Sequence, residues 1–206
     1  MFLTVCVLNS CNKSNFNYPA GTVGISQIVH FAQLNLQGSP YMSVVEGQEF
    51  ADPGCTAQAG GDSLTVTTSG SVNSTQVGIY VITYTAVNKQ GFPASITRTV
   101  AVLPSAELAG VDISGSYFYV ATGGNNSTVA KQAPGFYSAT NCWDPQTTIP
   151  ILFICVDGVN IIIPNQTTGF GPLAGSGTLS GTGALTYIVS LSNYGIVNSA
   201  RYWQLQ

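Results

Sequence analysis

Short runs of alternating apolar and polar residues, divided by turn-forming residues, constrain this chain more than any other feature of its sequence. Segment 78–87 places Tyr80, Ile82 and Tyr84 on one face of a strand and smaller or more polar residues on the other. Segment 96–103 alternates in the same way. No segment shows the 3.6-residue period of an amphipathic helix. The pattern predicts an all-β protein.

The first group of strands lies in residues 37–104 and predicts a small antiparallel sandwich. Asp52-Pro53-Gly54 is a turn signal, because Pro fixes its own φ and Gly accepts a positive φ. Residues 11–36 precede this domain and are rich in Asn. They predict a tether, with a short strand at 24–31 that leads into the sandwich.

A second domain is predicted over residues 109–206, after a boundary at 103–110 that contains Pro and small residues. Its candidate strands are near 115–122, 127–133, 135–140, 150–156, 159–163, 174–180, 184–192 and 199–206. Asp157-Gly158, between two apolar runs, is the strongest short hairpin signal in the chain. Eight short strands joined by tight turns predict an antiparallel up-and-down meander, either a barrel or a strongly curled sheet.

The first eleven residues predict export. Residues 1–8 are almost entirely apolar, and polar residues follow Cys11 abruptly. This pattern predicts a signal peptide over residues 1–10. The tetrad Leu8-Asn9-Ser10-Cys11 resembles a bacterial lipobox, in which the Cys is lipidated after cleavage. The alternative is a first β-strand that contains two cysteines.

Composition argues against nucleic-acid binding, and the lengths of the apolar runs argue against a membrane-spanning helix. Only 6% of the residues are charged, and the five lysines and arginines are scattered. Because nucleic-acid affinity depends on clustered cations that neutralise phosphates, we predict no nucleic-acid partner. No run approaches 18 apolar residues, so no membrane-spanning helix is predicted. The membrane contact that we expect is the lipid on Cys11.

Catalytic groups are sparse. The one histidine, His30, precedes both predicted domains, whereas Ser-His-Asp and Cys-His sites need a positioned imidazole. The carboxylates of the second half fall in the linker or in turns and are Glu107, Asp112, Asp144 and Asp157. Those of the first domain match no calcium loop and are Glu46, Glu49, Asp52 and Asp62. We predict a protein without enzymatic activity, cofactor or metal, and a hydrolase is the least favoured alternative.

Two cysteines of the second domain allow two interpretations. Cys142 and Cys155 are thirteen positions apart around a loop, which is compatible with a disulfide. Cys155 also sits in an apolar run, where a free thiol packs as a small hydrophobic group. The second interpretation is favoured slightly.

Trp143 and Asp144 are the candidate ligand-binding residues. They lie in a polar loop, 139–148, where strand periodicity gives no reason for a tryptophan. A flat ring beside a carboxylate is suited to sugars, and on this hypothesis the indole is partly exposed at the mouth of the second domain. The alternative is a Trp that folds over the end of the barrel.

Three motifs in the first domain carry a family resemblance. They are Val45-x-Gly47-x-x-Phe50-x-Asp52-Pro53-Gly54, Gly78-x-Tyr80-x-Ile82-x-Tyr84 and Arg98-Thr99-Val100-x-Val102. Together they resemble the bacterial immunoglobulin-like (Ig-like) domain of surface and secreted proteins. The resemblance implies an Ig-like β-sandwich that acts as a spacer or adhesive module.

The order of the segments extends the resemblance. A lipobox, a tether, an Ig-like domain and a lipocalin-like β-meander are together similar to two-domain outer-membrane lipoproteins of Bacteroidetes. The resemblance implies a cell-envelope lipoprotein that binds or presents a glycan or other extracytoplasmic ligand as an accessory to an uptake system. The alternative is a structural module that docks onto an outer-membrane transport complex. Whether the protein faces the surface or the periplasm is left open.

Overall fold

The computed structural model describes residues 19–20, 22–23, 26–124 and 126–206, and these residues confirm the predicted all-β fold. The only helical element among them is a single 3-10 turn, Ser192–Tyr194. Within this part of the chain, no helix has the length and apolar character needed to cross a membrane. The predicted signal peptide and the lipidation residue Cys11 lie outside the described residues.

The first domain consists of two sheets, which confirms the predicted sandwich. Its strands are β1 (Thr22–Val23), β2 (Ser26–Gln27), β3 (Gln33–Leu36), β4 (Tyr41–Val45), β5 (Cys55–Ala59), β6 (Asp62–Ser63), β7 (Val66–Ser69), β8 (Gly78–Val87) and β9 (Pro93–Leu103). One sheet has the order β3-β5-β6 and the other β4-β9-β8-β7, while β1 and β2 form a separate ribbon.

Two details of this domain differ from the sequence prediction. Among the described residues of the strand expected at 24–31, only β2 is extended. β3, which falls in the predicted tether, pairs with β5. The sandwich is also not purely antiparallel, because β4 pairs with β9 in parallel, from Tyr41 opposite Thr99 to Val45 opposite Leu103. A parallel pair needs a long crossover, which here runs through β5–β8, so adjacent strands in the sequence do not reveal it.

A buried arginine fixes the core of the first domain. Arg98 is 0% exposed, and its guanidinium forms an ion pair with Asp52 and donates to the hydroxyl of Tyr84 at 2.9 Å. The Tyr84 hydroxyl in turn donates to Asp52 at 2.6 Å. Burial raises the pKa of Asp52, but hydrogen bonds from Tyr84 and the Gly54 amide, together with the charge of Arg98, hold it below its ordinary value. The 52–54 turn is therefore tied to the sheet.

The second domain is a closed barrel rather than a strongly curled sheet, which was the other form predicted for the meander. Its strands are β10 (Gly115–Tyr119), β11 (Asn126–Ala133), β12 (Phe136–Ala139), β13 (Ile151–Ile154), β14 (Asn160–Thr168), β15 (Gly171–Leu179), β16 (Ala184–Leu191) and β17 (Ile196–Leu205). Each strand pairs with the next, and the pairing of β10 with β17 closes the ring. All eight strands are at the predicted places.

Side chains fill the barrel. The aromatic residues that its strands direct into the interior are Tyr117, Tyr137, Phe153, Tyr187 and Trp203, all at most 1% exposed. A β-carbon added at Gly177 would meet the backbone oxygen of Thr186 at 2.5 Å and the ring of Tyr187 at 3.3 Å. Glycine at this inward position therefore permits the close approach of β16 and its tyrosine. An eight-stranded barrel is just wide enough for its own side chains or for one small ligand. In this barrel, side chains occupy that space.

The linker is fixed to the barrel end at which it arrives. Glu107 accepts hydrogen bonds from Lys131 at 2.8 Å, from the Gly135 amide at 2.8 Å and from Tyr137 at 3.1 Å. Burial raises the pKa of Glu107, and these partners outweigh it and lower the pKa below its ordinary value. This carboxylate therefore has a structural role.

An apolar cluster joins the two domains. Ala101 and Leu103 of β9 pack with Phe136 of β12 and Ile154 of β13. The ring of Tyr41 meets that of Phe136 edge-on, with centroids 5.9 Å apart. The sandwich therefore contacts the outer wall of the barrel through buried side chains rather than through a linker alone.

We predict that Arg98→Met destabilises the protein by about 3 kcal/mol, since removing one partner of a buried pair leaves the other unpaired. Asp52 is partly exposed, which places the effect at the lower end of the usual range. Urea unfolding followed by circular dichroism measures the change. The matched control is Lys89→Met, which breaks the exposed pair with Asp62. Equal stability of the two variants would contradict the structural role of Arg98.

Candidate functional site at the far end of the barrel

The barrel has two different ends. The linker and Glu107 cover one, and the loops that follow β10, β12, β14 and β16 surround the other, here called the far end. Both residues predicted to bind a ligand, Trp143 and Asp144, belong to the loop between β12 and β13. The far end therefore holds the predicted site.

Asn141 organises this loop. Its side-chain oxygen accepts hydrogen bonds from the amides of Trp143 at 2.9 Å and Ile149 at 3.0 Å, and its side-chain nitrogen donates to the Asp144 carbonyl at 2.7 Å. The hydroxyl of Ser127 on β11 donates to the Asn141 carbonyl at 2.6 Å. Because Asn141 is 3% exposed, these bonds are shielded from water. They fold the loop inward.

The loop closes the far end of the barrel with apolar groups. Cys142, Trp143 and Ile149 all belong to the core cluster of the barrel, and Trp143 is 9% exposed. The prediction of a partly exposed indole is therefore wrong, and the alternative, a Trp that folds over the barrel end, describes its position. Loop polarity misled the prediction, because the polar groups of Asn141 serve the loop's own backbone.

Asp144 holds the turn that follows Trp143. Its Oδ1 accepts hydrogen bonds from the amides of Gln146 at 3.0 Å and Thr147 at 2.7 Å. This is a common use of aspartate in turns. The proposed sugar-binding role of Asp144 stays a prediction, and the structure adds a turn-forming role beside it.

Arg201, which the sequence analysis did not select, stacks on Trp143. The guanidinium carbon lies 3.6 Å from the centroid of the indole ring. Arg201 is on the inward face of β17, opposite Tyr187 of β16, and is half-buried. It has no carboxylate oxygen within 4.0 Å among the described residues. The sequence did contain a signal: Arg201 lies two residues before Trp203, and residues two apart in a strand lie on the same face.

The hydrogen bonding along the inward faces of β16 and β17 is unbalanced. In the described part of the chain, three buried side-chain polar atoms have no hydrogen-bond partner: Tyr187 Oη, Arg201 Nε and Trp203 Nε1. All three lie on neighbouring inward positions of β16 and β17. Arg and Trp nitrogens only donate, and a tyrosine hydroxyl donates readily. This face therefore offers donors without a matching acceptor.

Aromatic side chains also mark the rim of the far end. Phe170 follows β14 and Tyr194 follows β16, and their ring centroids are 6.2 Å apart. Tyr194 is 61% exposed. The rim therefore presents an accessible ring beside the closed barrel mouth.

The other candidate carboxylates do not assemble a site. Glu107 is bound to Lys131, while Asp112 and Asp157 accept hydrogen bonds from backbone amides of their own turns. Asp52 is paired with Arg98. Among the described residues, no three His, Cys, Asp or Glu side chains lie close enough to hold a metal ion.

Cys142 and Cys155 are free thiols, so the disulfide alternative is wrong and Cys155 packs as a buried apolar residue. Both are 0% exposed. Burial raises the pKa of Cys142 to about 12 and also raises the pKa of Cys155. Both thiols are therefore protonated at neutral pH and poorly nucleophilic.

Comparisons with known proteins bear on the first domain. Residues 34–102 match the family model of the bacterial surface protein Ig-like domain, which confirms the resemblance seen in the first domain. The structure is similar to the crystal structure of a lipoprotein from Bacteroides thetaiotaomicron. That match has 23% sequence identity and a TM-score of 0.40, and it covers 84% of this chain and 98% of that one. No curated protein matches the sequence.

We predict that iodoacetamide at pH 8 modifies the half-buried Cys55 in the folded protein and leaves Cys142 and Cys155 unmodified. The reagent needs a thiolate, which burial suppresses at the two barrel positions. Peptide mapping by mass spectrometry measures each site, and urea-unfolded protein is the control in which all three react. Modification of Cys142 as fast as Cys55, or a bridge to Cys155, would contradict the closed far end.

We also predict that Trp143→Ala destabilises the barrel by about 3 kcal/mol, since truncating a buried tryptophan leaves a cavity. Asp144→Asn is the matched control, because the amide oxygen can still accept the two turn hydrogen bonds. Urea unfolding compares the variants. If Trp143→Ala is as stable as Asp144→Asn, Trp143 does not plug the barrel.

Proposed function

We propose that this protein is a non-enzymatic cell-envelope lipoprotein, anchored through Cys11, whose Ig-like domain holds the barrel away from the membrane so that its far end can bind an extracytoplasmic ligand. The observation that carries the proposal is the placement of the domains along the chain. The match of residues 34–102 to a bacterial surface domain supports the location.

The chain enters the first domain at the end opposite the barrel. There, Asn88 donates to the carbonyl of His30 at 2.9 Å, and the rings of Phe31 and Phe92 lie 5.6 Å apart. The barrel packs at the other end, against Leu103. The ten residues of β8 run between these ends, a length of about 33 Å at 3.3 Å per residue. Such a domain can act as a spacer between an anchor and a barrel.

The filled barrel favours binding from outside. A lipocalin-like protein that carries a ligand internally needs an interior free of large side chains, and here Tyr187 and Phe153 occupy it. Accessible groups at the far end include Tyr194 on the rim and the half-buried Arg201. A glycan, which binds through ring faces and hydrogen bonds, suits such a surface.

The arrangement of carboxylates supports a binding role rather than hydrolysis. A glycosidase needs two carboxyl groups facing each other across the substrate, about 5 to 9.5 Å apart. In the barrel domain, Glu107 and Asp157 serve the linker end, while Asp144 holds a far-end turn. The groups that could perform acid–base chemistry are thus committed to structural bonds at separate places.

A second candidate is the docking module, favoured by a groove between the two domains. It has a volume of about 380 Å³ and is lined by Tyr41, Pro150, Leu152 and Gln166 among others. A partner segment seated there would contact both domains at once. Protection of Tyr41 from surface labelling in membranes, but not in purified protein, would favour docking over ligand binding at the far end.

The anchor is tested with Cys11→Ala in a diderm bacterium. We predict that the variant moves from the membrane to the soluble fraction and loses labelling by an alkyne analogue of palmitate, because the thiol that carries the lipid is gone. Cys55→Ala, which removes a thiol of the folded domain, is the matched control and should keep both. An unchanged membrane fraction for Cys11→Ala would overturn the lipoprotein proposal.

A further inference from the structure

We propose that the far end of the barrel recognises the carboxylate of an acidic sugar through Arg201, with Trp143 as the residue that positions the guanidinium. This inference deepens the ligand-binding part of the proposed function and rests on it. It does not depend on the lipid anchor.

The first argument is charge. The described residues contain four lysines and arginines, and three of them have a carboxylate partner: Lys89 with Asp62, Arg98 with Asp52 and Lys131 with Glu107. Arg201 is the exception, although the protein has more acidic than basic residues. Removing part of a guanidinium from water without a counter-charge is unfavourable. A ligand anion would supply that counter-charge.

The second argument is hydrogen bonding. Tyr187 and Trp203, both at most 1% exposed, flank Arg201 on the inward face and are also unpartnered. Buried polar groups in folded proteins nearly always have a partner, so three unpartnered donors at neighbouring positions call for an explanation. Every one of them can donate, but Tyr187 and Trp203 are enclosed in the core, so the half-buried Arg201 is the donor that an external acceptor can reach. The partner that is missing is an oxygen atom that accepts hydrogen bonds.

The third argument is the orientation of Arg201. Stacking on the indole of Trp143 at 3.6 Å fixes the plane of the guanidinium and leaves its N–H edges in that plane. Two parallel N–H groups match the two oxygens of a carboxylate in a bidentate pair. The stack also restricts the side chain before binding, which lowers the entropy lost when the ligand binds. Arg201 is half-buried, so part of its side chain remains accessible to solvent.

Sugar rings give the remaining specificity. Tyr194 is exposed on the same rim and packs against Phe170, which limits its motion. Tyr194 lies seven residues along the β16–β17 hairpin from both Arg201 and its partner Tyr187. It would therefore stack on one sugar of a polymer while the carboxylate of another sugar pairs with Arg201. The ligand class that fits both groups is a uronic-acid-containing glycan rather than a neutral one.

The test is native affinity electrophoresis of the full chain carrying Cys11→Ala, in gels that contain hyaluronan, alginate or polygalacturonate. Each polymer is compared with its carboxyl-reduced form, which keeps the sugar backbone and removes the charge. Because the protein has a net charge of −3, non-specific attraction to a polyanion is not expected. We expect at least one carboxylated polymer to retard the protein and its reduced form to have no effect.

Arg201→Gln should weaken that retardation at least tenfold, and Arg201→Lys, which keeps the charge but loses the planar fork, should weaken it severalfold. Lys89→Gln, which removes an exposed positive charge from the first domain, should bind as the parent does. Thermal melts check that each variant is folded. If Arg201→Gln does not fold, Arg201→Lys decides the result.

Three outcomes would overturn the inference. One is equal retardation by a polymer and its carboxyl-reduced form, which would leave a glycan-binding function standing with a neutral ligand. Another is full retardation of folded Arg201→Gln or, where that variant does not fold, of Arg201→Lys. The third is no retardation by any of the three polymers. Lipidation of Cys11 is measured separately, so failure here and failure of the anchor are distinguishable.

Discussion

The structure depends on the packing inside an eight-stranded barrel, whose interior has room for side chains or for a small ligand but not for both. Here the choice is fixed by aromatic residues. Tyr137 stacks on Phe153 with centroids 5.6 Å apart, and Phe153 meets Tyr187 edge-on at 6.0 Å. Once these rings fill the interior, the ends and the outer wall are the surfaces left for binding. Glu107 and the linker cover one end, the first domain covers part of the wall, and the far end remains accessible.

The two domains partner their inward-facing arginines differently, and this contrast directs attention to Arg201. In the sandwich, Arg98 is surrounded by Asp52, Tyr84 and backbone carbonyls, so its charge stabilises the fold. In the barrel, Arg201 has the face of Trp143 and no carboxylate within reach in the described residues. A cation–π contact compensates only part of the cost of desolvating a guanidinium. The arginine of the sandwich therefore stabilises the fold, whereas the described residues of the barrel leave Arg201 without a counter-charge.

Much of the fold could be predicted from the sequence, because strand period and turn residues are local signals. The eight barrel strands and the two long strands of the sandwich follow from them. The parallel pairing of β4 with β9 could not, since it joins segments about fifty residues apart. The position of Trp143 was misjudged for a related reason: its burial depends on Asn141 and on the distant Arg201. The sequence also held a signal for Arg98 and Arg201. Each occupies an inward-facing position of its strand, where a charge needs a partner.

The central claim, that the barrel is filled and binds at its end rather than inside, is tested most directly by titrating the protein with the apolar fluorophore N-phenyl-1-naphthylamine. Fluorophores of this kind brighten when they enter an apolar cavity. The account predicts no saturable increase in emission and no energy transfer from Trp203, which lies in the core. Saturable uptake of one fluorophore per chain, with quenching of tryptophan emission, would contradict it and would identify the barrel as an internal carrier.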